Sequence, residues 1–222
     1  MKEGMYSPTE ASTPSRLPER ARYDSATVHG ILDSAILCHV GYEAEGRPQV
    51  LPMLFVRVGG TIYLHSSTGG HPARMAAREG GIDLCVEVTI IDALVLARSA
   101  FHHSANYRAV VAHGRATVVA DLTEKRRVLA TLVDKIVPGR GADVRDPSEI
   151  ELRQTAVLAL PLYSVSAKVR DGGPIDDAED MTRACWAGIV PIREVRGVPQ
   201  ASPDLTAGTP VPEYLNRIGV GR

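Results

Sequence analysis

QVLPMLFVRVGGTIYLHSSTGGHPAR, residues 49–74, is the stretch whose reading decides the fold. Gln49 to Val58 is a β-type run, Gly59-Gly60 is a tight-hairpin signal, and Thr61 to His65 is the returning strand. Pro52 lies inside the first strand and has no N–H to give a ladder. It therefore argues for an edge, a bulge or a ligand-facing break. Beyond His65, hydroxyls cluster at Ser66, Ser67 and Thr68, then Gly69-Gly70 leads into HPARMAAREG. That last piece reads as a short helix with Pro72 near its first turn and Gly80 at its end.

The flanking segments repeat this alternation of short strands with few helices. Upstream, DSATVHGILDSA from Asp24 puts Val28, Ile31, Leu32 and Ala35 on one helical face, with Asp24 or Ser25 as cap. Ile36 to Tyr42 is a strand, and Glu45-Gly46-Arg47 is a turn. Downstream, Ile82 to Arg98 is a long apolar β region broken near Asp92, and Ala109 to Ala120 is a further strand. Asp121-Leu-Thr-Glu124 has the form of a helix cap, with the helix running to about Val137 before Pro138-Gly139. A short helical piece near Glu149 to Thr155, a strand region Val157 to Val169, and a last strand Ala187 to Val195 complete the series. The expected class is mainly β, a β-barrel with helical insertions. Residues 1–20, rich in Ser, Thr, Pro and charge, read as a flexible N-terminal lead-in, 21–196 as the barrel domain, and 197–222 as a tail. In that tail Tyr214-Leu215 and Ile218 form a patch suited to docking.

Bulk properties narrow the function classes. The 222 residues are 44% hydrophobic and 23% charged, with a formal net charge of −1. No basic field advertises nucleic acid or an anionic membrane. No apolar run approaches the ~18 residues that a transmembrane helix needs, and the N-terminus lacks the apolar core of a secretory signal. Cys38, Cys85 and Cys185 are odd in number, far apart and set in apolar runs. They read as buried free thiols in a reducing compartment, which points to the cytoplasm and gives no metal site.

Three segments carry the chemistry. In Tyr63 to Arg74, free amides at a helix start, the hydroxyls of Ser66, Ser67 and Thr68, and the Arg74 guanidinium suit a phosphate. A plain polar loop before a capped helix is the competing reading; no Gly-Lys-Ser/Thr follows to make a Walker motif. ARSAFHHSANYR, residues 97–108, gathers two arginines, two histidines, an Asn and a Tyr between apolar strands. It is either a binding loop or a solvated crossover. His102 and His103 are a poor metal pair, because neighbours on a strand face opposite ways. Trp186, the only tryptophan, precedes an apolar strand and reads as core, interface or ligand contact. Surface solvation accounts for Lys168 and Arg170. Neither GxSxG nor a strand-borne GxGxxG is present.

Together these residues resemble the pyridoxamine-phosphate-oxidase-like, FMN-binding split-barrel superfamily, in its flavin-nucleotide-binding and nitroimidazole-resistance-type branch. The matching features are Cys38-His39-Val40-Gly41, Gly46-Arg47-Pro48, Tyr63-Leu64-His65-Ser66, FHHSANYR, Ser166 to Arg170 and Trp186-Ala187-Gly188, spanning roughly residues 20–195. The resemblance implies a six-stranded split barrel, homodimeric, with FMN at the interface. It implies that His65, Ser66 and Ser67 lie against FMN and that Arg74 meets its phosphate. Asn106, Tyr107 and Arg108 would line the site, Pro52 and Met53 would offer main-chain contacts to the ring, and Trp186 would approach from the partner subunit. One departure matters. The Arg and His that grip substrate in true pyridoxamine-phosphate oxidases are replaced after Pro191 by Ile192, Arg193 and Glu194. Vitamin B6 oxidation is thus not carried over by the residues. The expected function is a flavin-dependent oxidoreductase acting on a small planar acceptor, with His65 or His71 as proton donor or simply as a hydrogen-bonding or capping residue. The alternatives are a flavin storage or sensing protein without turnover and a haem-binding split barrel, with FAD or a deazaflavin in place of FMN.

Overall fold

The computed structural model describes residues 4–218. Its strands are β1 (Ala21–Arg22), β2 (Leu37–Ala44), β3 (Arg47–Val58), β4 (Thr61–Ser67), β5 (Ile82–Leu96), β6 (Ser104–Val118), β7 (Thr155–Pro161), β8 (Ser164–Arg170) and β9 (Gly188–Pro191). The helices are α1 (Ser25–Ser34), α2 (His71–Glu79), α3 (Leu122–Ile136), α4 (Glu149–Gln154) and α5 (Glu213–Ile218). The strands form one antiparallel sheet in the order β1-β8-β6-β7-β4-β3-β2-β5-β9, and an additional β6–β5 pairing closes it on itself. A mainly β barrel with helical insertions is thus what forms. The expected six strands are extended by the short edge strands β1 and β9 and by a hairpin where one strand region was read. Leu162 N–H donates to the Gly60 carbonyl at 2.8 Å, turning the chain between β7 and β8.

Both faces of the β3–β4 and β7 strands are covered, which explains their nearly unbroken apolar sequences. Phe55, Ile62, Leu64, Leu158 and Leu160 point into the barrel with Val86, Val110 and Val165. The alternate residues Val56, Tyr63 and Val157 pack beneath α3 against Val128 and Leu132. The period of two in the strands and the 3.6-residue stripe of α3 meet at that second layer. α3 starts as its sequence signals. The Asp121 side chain accepts from the Thr123 and Glu124 N–H groups, and Tyr63 donates to Glu124 Oε1 at 2.7 Å.

The barrel is split at β3. Residues Phe55–Val58 pair with β4, whereas Arg47–Leu54 pair with β2 alone. Pro52 therefore sits where the strand has left its β4 neighbour, as a proline in a strand requires. β5 is broken at Asp92, where its register against β6 shifts between Ile91 and Ala93.

Several local expectations need revision. Cys38 is buried and Cys85 half-buried, but Cys185 is exposed on the segment before β9. Its apolar neighbours there belong to a surface strap, not to the core. Arg170, read as a surface residue, is buried because its guanidinium bonds the carbonyls of the same strap. Of the lead-in, residues 1–3 lie outside the described residues; residues 4–20 make contacts that composition does not foresee. Tyr6 N–H donates to the Tyr23 carbonyl at 2.8 Å, Thr9 and Ser164 share a hydroxyl bond at 2.5 Å, and Ser12 is buried. In the tail, Tyr214 donates to Asp143 Oδ2 at 2.6 Å and accepts from Arg140 at 3.0 Å. The Ile218 side chain and residues 219–222 lie outside the described residues.

Candidate functional site

The β4–α2 corner is built by three local requirements. β4 ends at Ser67, a turn follows, and α2 begins at His71 with Gly70 as its N-cap and no side-chain cap. A Cβ on Gly70 would press on Ser66 Oγ, which would have to turn away, and would stand 3.0 Å from the Ser67 carbonyl oxygen. The turn amides are already engaged. Thr68 N–H donates to the Gln154 carbonyl at 2.9 Å, Gly69 N–H to Ser67 Oγ at 3.2 Å, and Gly70 N–H to the Ser67 carbonyl at 2.8 Å. Ser66 Oγ donates to the Ser67 carbonyl at 2.9 Å, so what remains for an anion is the uncapped first turn of α2, the Ser67 hydroxyl and Arg74. The Arg74 guanidinium is exposed and has no hydrogen bond or ion pair among the described residues. Positive helix-end dipole, a hydroxyl donor and an unpaired fork form an anion-accepting arrangement.

Two imidazoles border this corner. His65 lies at the end of β4, and the His71 ring stacks on Tyr42 with centroids 5.8 Å apart. In each, Nδ1 is buried without a hydrogen-bond partner among the described residues. Buried polar atoms are rarely left so, and such nitrogens suit a bound group. Pro52 is exposed and Met53 half-buried on the open side of β3, where the Met53 carbonyl accepts from Cys38 Sγ at 3.4 Å.

The other expected residues form a second group. Asn106 is 3% exposed. Its Nδ2 donates to the Gly172 carbonyl at 3.0 Å, and its Oδ1 accepts from Arg170. Arg108 is held by Asp92, with Nε and Nη2 donating at 2.9 and 2.7 Å. These bonds raise the Arg108 pKa further and fix its fork. Tyr107 is half-buried between them on β6. Trp186 is 67% exposed, its indole laid over Gly188, where a Cβ would stand 2.9 Å from the ring.

A strap from Asp171 to Ala187 carries that tryptophan, and residues not singled out from the sequence secure it. The Asp176 carboxylate, with 1% of its side chain exposed, accepts from the Arg98 N–H and guanidinium at 2.7 and 2.8 Å. His102 pairs with Asp177 at 3.1 Å. Asp92 was visible only as a break in an apolar strand; Arg98 and Asp176 are too far apart in sequence for any local signal. Asn106, Tyr107 and Arg108 lie near the start of β6, whereas only Thr117 and Val118 at its far end pair with β7, the neighbour of β4, so the ten expected residues fall into two groups within one chain. Among the described residues no cluster of His, Cys, Asp or Glu has the form of a metal site. No described helix is long and apolar enough to cross a membrane.

The fold is shared with known proteins. The flavocytochrome Anf3 of Azotobacter vinelandii is 36% identical, covers 96% of this chain and 98% of its own, and superposes with a TM-score of 0.88. The FAD and haem binding protein of Mycobacterium smegmatis is 34% identical over 91% of this chain and 98% of its own, with a TM-score of 0.86. A Bacteroides thetaiotaomicron protein described in terms of 5-nitroimidazole antibiotic resistance is 25% identical, over 67% of this chain and 86% of its own, at a TM-score of 0.56. None of the curated proteins matches. Residues 24–169 match the family described as pyridoxamine 5'-phosphate oxidase. The chain belongs to this family and has its split-barrel fold.

Proposed function

We propose that the chain binds a flavin nucleotide, FMN or FAD, at the β4–α2 corner, and that it does so as a homodimer. The single observation that carries this reading is the likeness, over nearly the whole chain, to a flavocytochrome and to an FAD and haem binding protein. The corner fits the group. Arg74 has no competing partner among the described residues, the first turn of α2 is uncapped, and Gly70 keeps the approach clear of a side chain. In this reading Arg74 and Ser67 hold the phosphate, Ser66 joins them by turning its hydroxyl away from the Ser67 carbonyl, and the turn amides serve the turn itself. Pro52 and Met53 offer main chain on the open side of β3. Trp186, exposed on its strap, covers the flavin of the second copy, and this accounts for the separation of the two residue groups.

The flavin supplies hydride and electron transfer when bound; the protein orients the ring and excludes water. The expected activity is that of a cytoplasmic oxidoreductase acting on a small planar acceptor, with three free cysteines agreeing with a reducing compartment. His65 and His71 stand ready to move a proton at the corner. The family's pyridoxamine phosphate chemistry is not part of the reading, because Ile192, Arg193 and Glu194 follow Pro191.

A second reading adds haem. Both relatives' names favour it, and the unpartnered Nδ1 atoms of His65 and His71 are of the type that ligates iron. The absorption spectrum of the purified protein tests both readings: flavin bands support the first, and an additional Soret band supports the second. Bleaching by NAD(P)H and recovery with a nitroaromatic or quinone identify an oxidoreductase; flavin bands that NAD(P)H never bleaches leave a storage or sensing protein. A colourless protein that takes up no added flavin contradicts the proposal.

A further inference from the structure

A separate cleft of about 690 Å³ lies where the end of α1, the start of β2, the bulged part of β5 and the chain beyond β9 converge. No residue of the β4–α2 corner lines it. Charged and apolar side chains share its walls, and the apolar ones are uncovered: Leu37, Ile91 and Ile192 are 46, 49 and 43% exposed. Such a volume is that of a small-molecule site, and the mixed lining suits a ligand with both an apolar body and a charge.

The charges are arranged rather than scattered. The bulge takes Asp92 out of the β5–β6 ladder, and its carboxylate fixes the Arg108 guanidinium at the cleft. Bulges re-aim side chains in this way next to binding sites. The Asp92 carbonyl also accepts from Ile192 N–H at 2.9 Å, which pins the segment bearing the next arginine. That residue, Arg193, lines the cleft and has neither a hydrogen bond nor an ion pair among the described residues. Arg196, also at the cleft, donates to the Ile136 carbonyl at 3.4 Å. Three guanidiniums face two carboxylates, Asp92 and Glu194, and Asp92 is already engaged by Arg108. The remaining balance is one positive charge over an apolar floor.

We infer that this cleft binds a small organic carboxylate with an aromatic or aliphatic body, with Arg193 as its principal charge partner. The apolar body covers Leu37, Ile91 and Ile192, and the carboxylate meets a fork free to bind it in two places. The cleft shares Arg108 with the residues expected around the flavin, but no residue of the β4–α2 corner lines it and Arg193 belongs to neither flavin group, so the inference does not rest on the flavin reading.

Calorimetric titration of the full-length protein with benzoate, octanoate and inorganic phosphate tests it. Saturable binding of benzoate or octanoate is expected, with phosphate at least tenfold weaker for want of an apolar body (about 1.4 kcal/mol). Arg193→Gln weakens carboxylate binding by about tenfold or more, the loss of one charge-assisted bond. Arg193→Lys keeps the charge without the fork and recovers part of it. Arg153→Gln, which removes the same charge from α4 outside the cleft, leaves binding unchanged. The inference is overturned if neither carboxylate binds saturably, if phosphate binds as tightly, or if Arg193→Gln binds as the unmodified protein does. Because each readout is carboxylate affinity, a failed flavin assignment at the corner leaves these outcomes legible.

Discussion

Lys135 near the end of α3 places its ammonium 3.4 Å from the centre of the Phe55 ring and donates to the Leu32 carbonyl at 3.0 Å. The amine thus closes the end of α1 and ties it to α3, under a ring with no exposure. Burial pushes its pKa down to about 8 from 10.5, against the opposing pull of Asp33 and Cys38. A base whose folded pKa is depressed binds fewer protons folded than unfolded, so stability rises with pH between about 8 and 10.5. Cys38 acts oppositely. Burial raises its thiol from 9.0 to about 12, so its contribution is lost as pH climbs through that interval. Urea unfolding of the protein and of Lys135→Met across this range separates the two. The difference between them should grow in favour of the lysine as pH rises above about 8; a flat difference would show that the amine keeps its ordinary pKa.

The strap from Asp171 to Ala187 is the element that a local reading of the sequence misses. Its anchors are Asn106, Arg98 and Arg170, none of them a neighbour in the chain except the last. Replacing Asn106 by Ala takes from the Gly172 carbonyl its amide donor and from Arg170 one of its acceptors, leaving the guanidinium only its bonds to the Gly172 and Gly173 carbonyls. A loss of about 1–3 kcal/mol is expected, the cost of unsatisfied buried groups. Chemical denaturation measures this, and an unchanged midpoint would contradict the anchoring role. Where elements rest on local chemistry they were readable. The Gly59-Gly60 hairpin, the Asp121 helix cap and the break at Asp92 each have a signal within a few residues. The β7–β8 turn has no such signal at Leu162-Tyr163, since a bond to Gly60 fixes it from across the barrel. The corner was legible for the same reason: its glycines, hydroxyls and Arg74 are contiguous. The Asn106 group was legible as a polar cluster but not as strand: the expected connection is the start of β6, which begins at Ser104 and not at Ala109, and the partners that occupy these residues come from long range.

At the scale of the whole molecule, the split barrel leaves apolar surface at one edge. Leu94 on β5 and Ile189 and Val190 on β9 are exposed, and β9 is an edge strand. A bare apolar edge invites pairing, and the proposed second copy would cover it. Sedimentation of the unmodified protein at twice the chain mass is expected, with Val190→Asp shifting it towards the monomer. A flavin-loaded monomer would refute the two-copy site. The central claim, a flavin gripped where β4 meets α2, is tested most directly by the flavin retained per chain after gel filtration, compared with Arg74→Ala. The account predicts stoichiometric flavin in the unmodified protein and a retention constant about tenfold or more weaker in the variant, the loss of one charge-assisted phosphate contact. Equal retention in both proteins would contradict it.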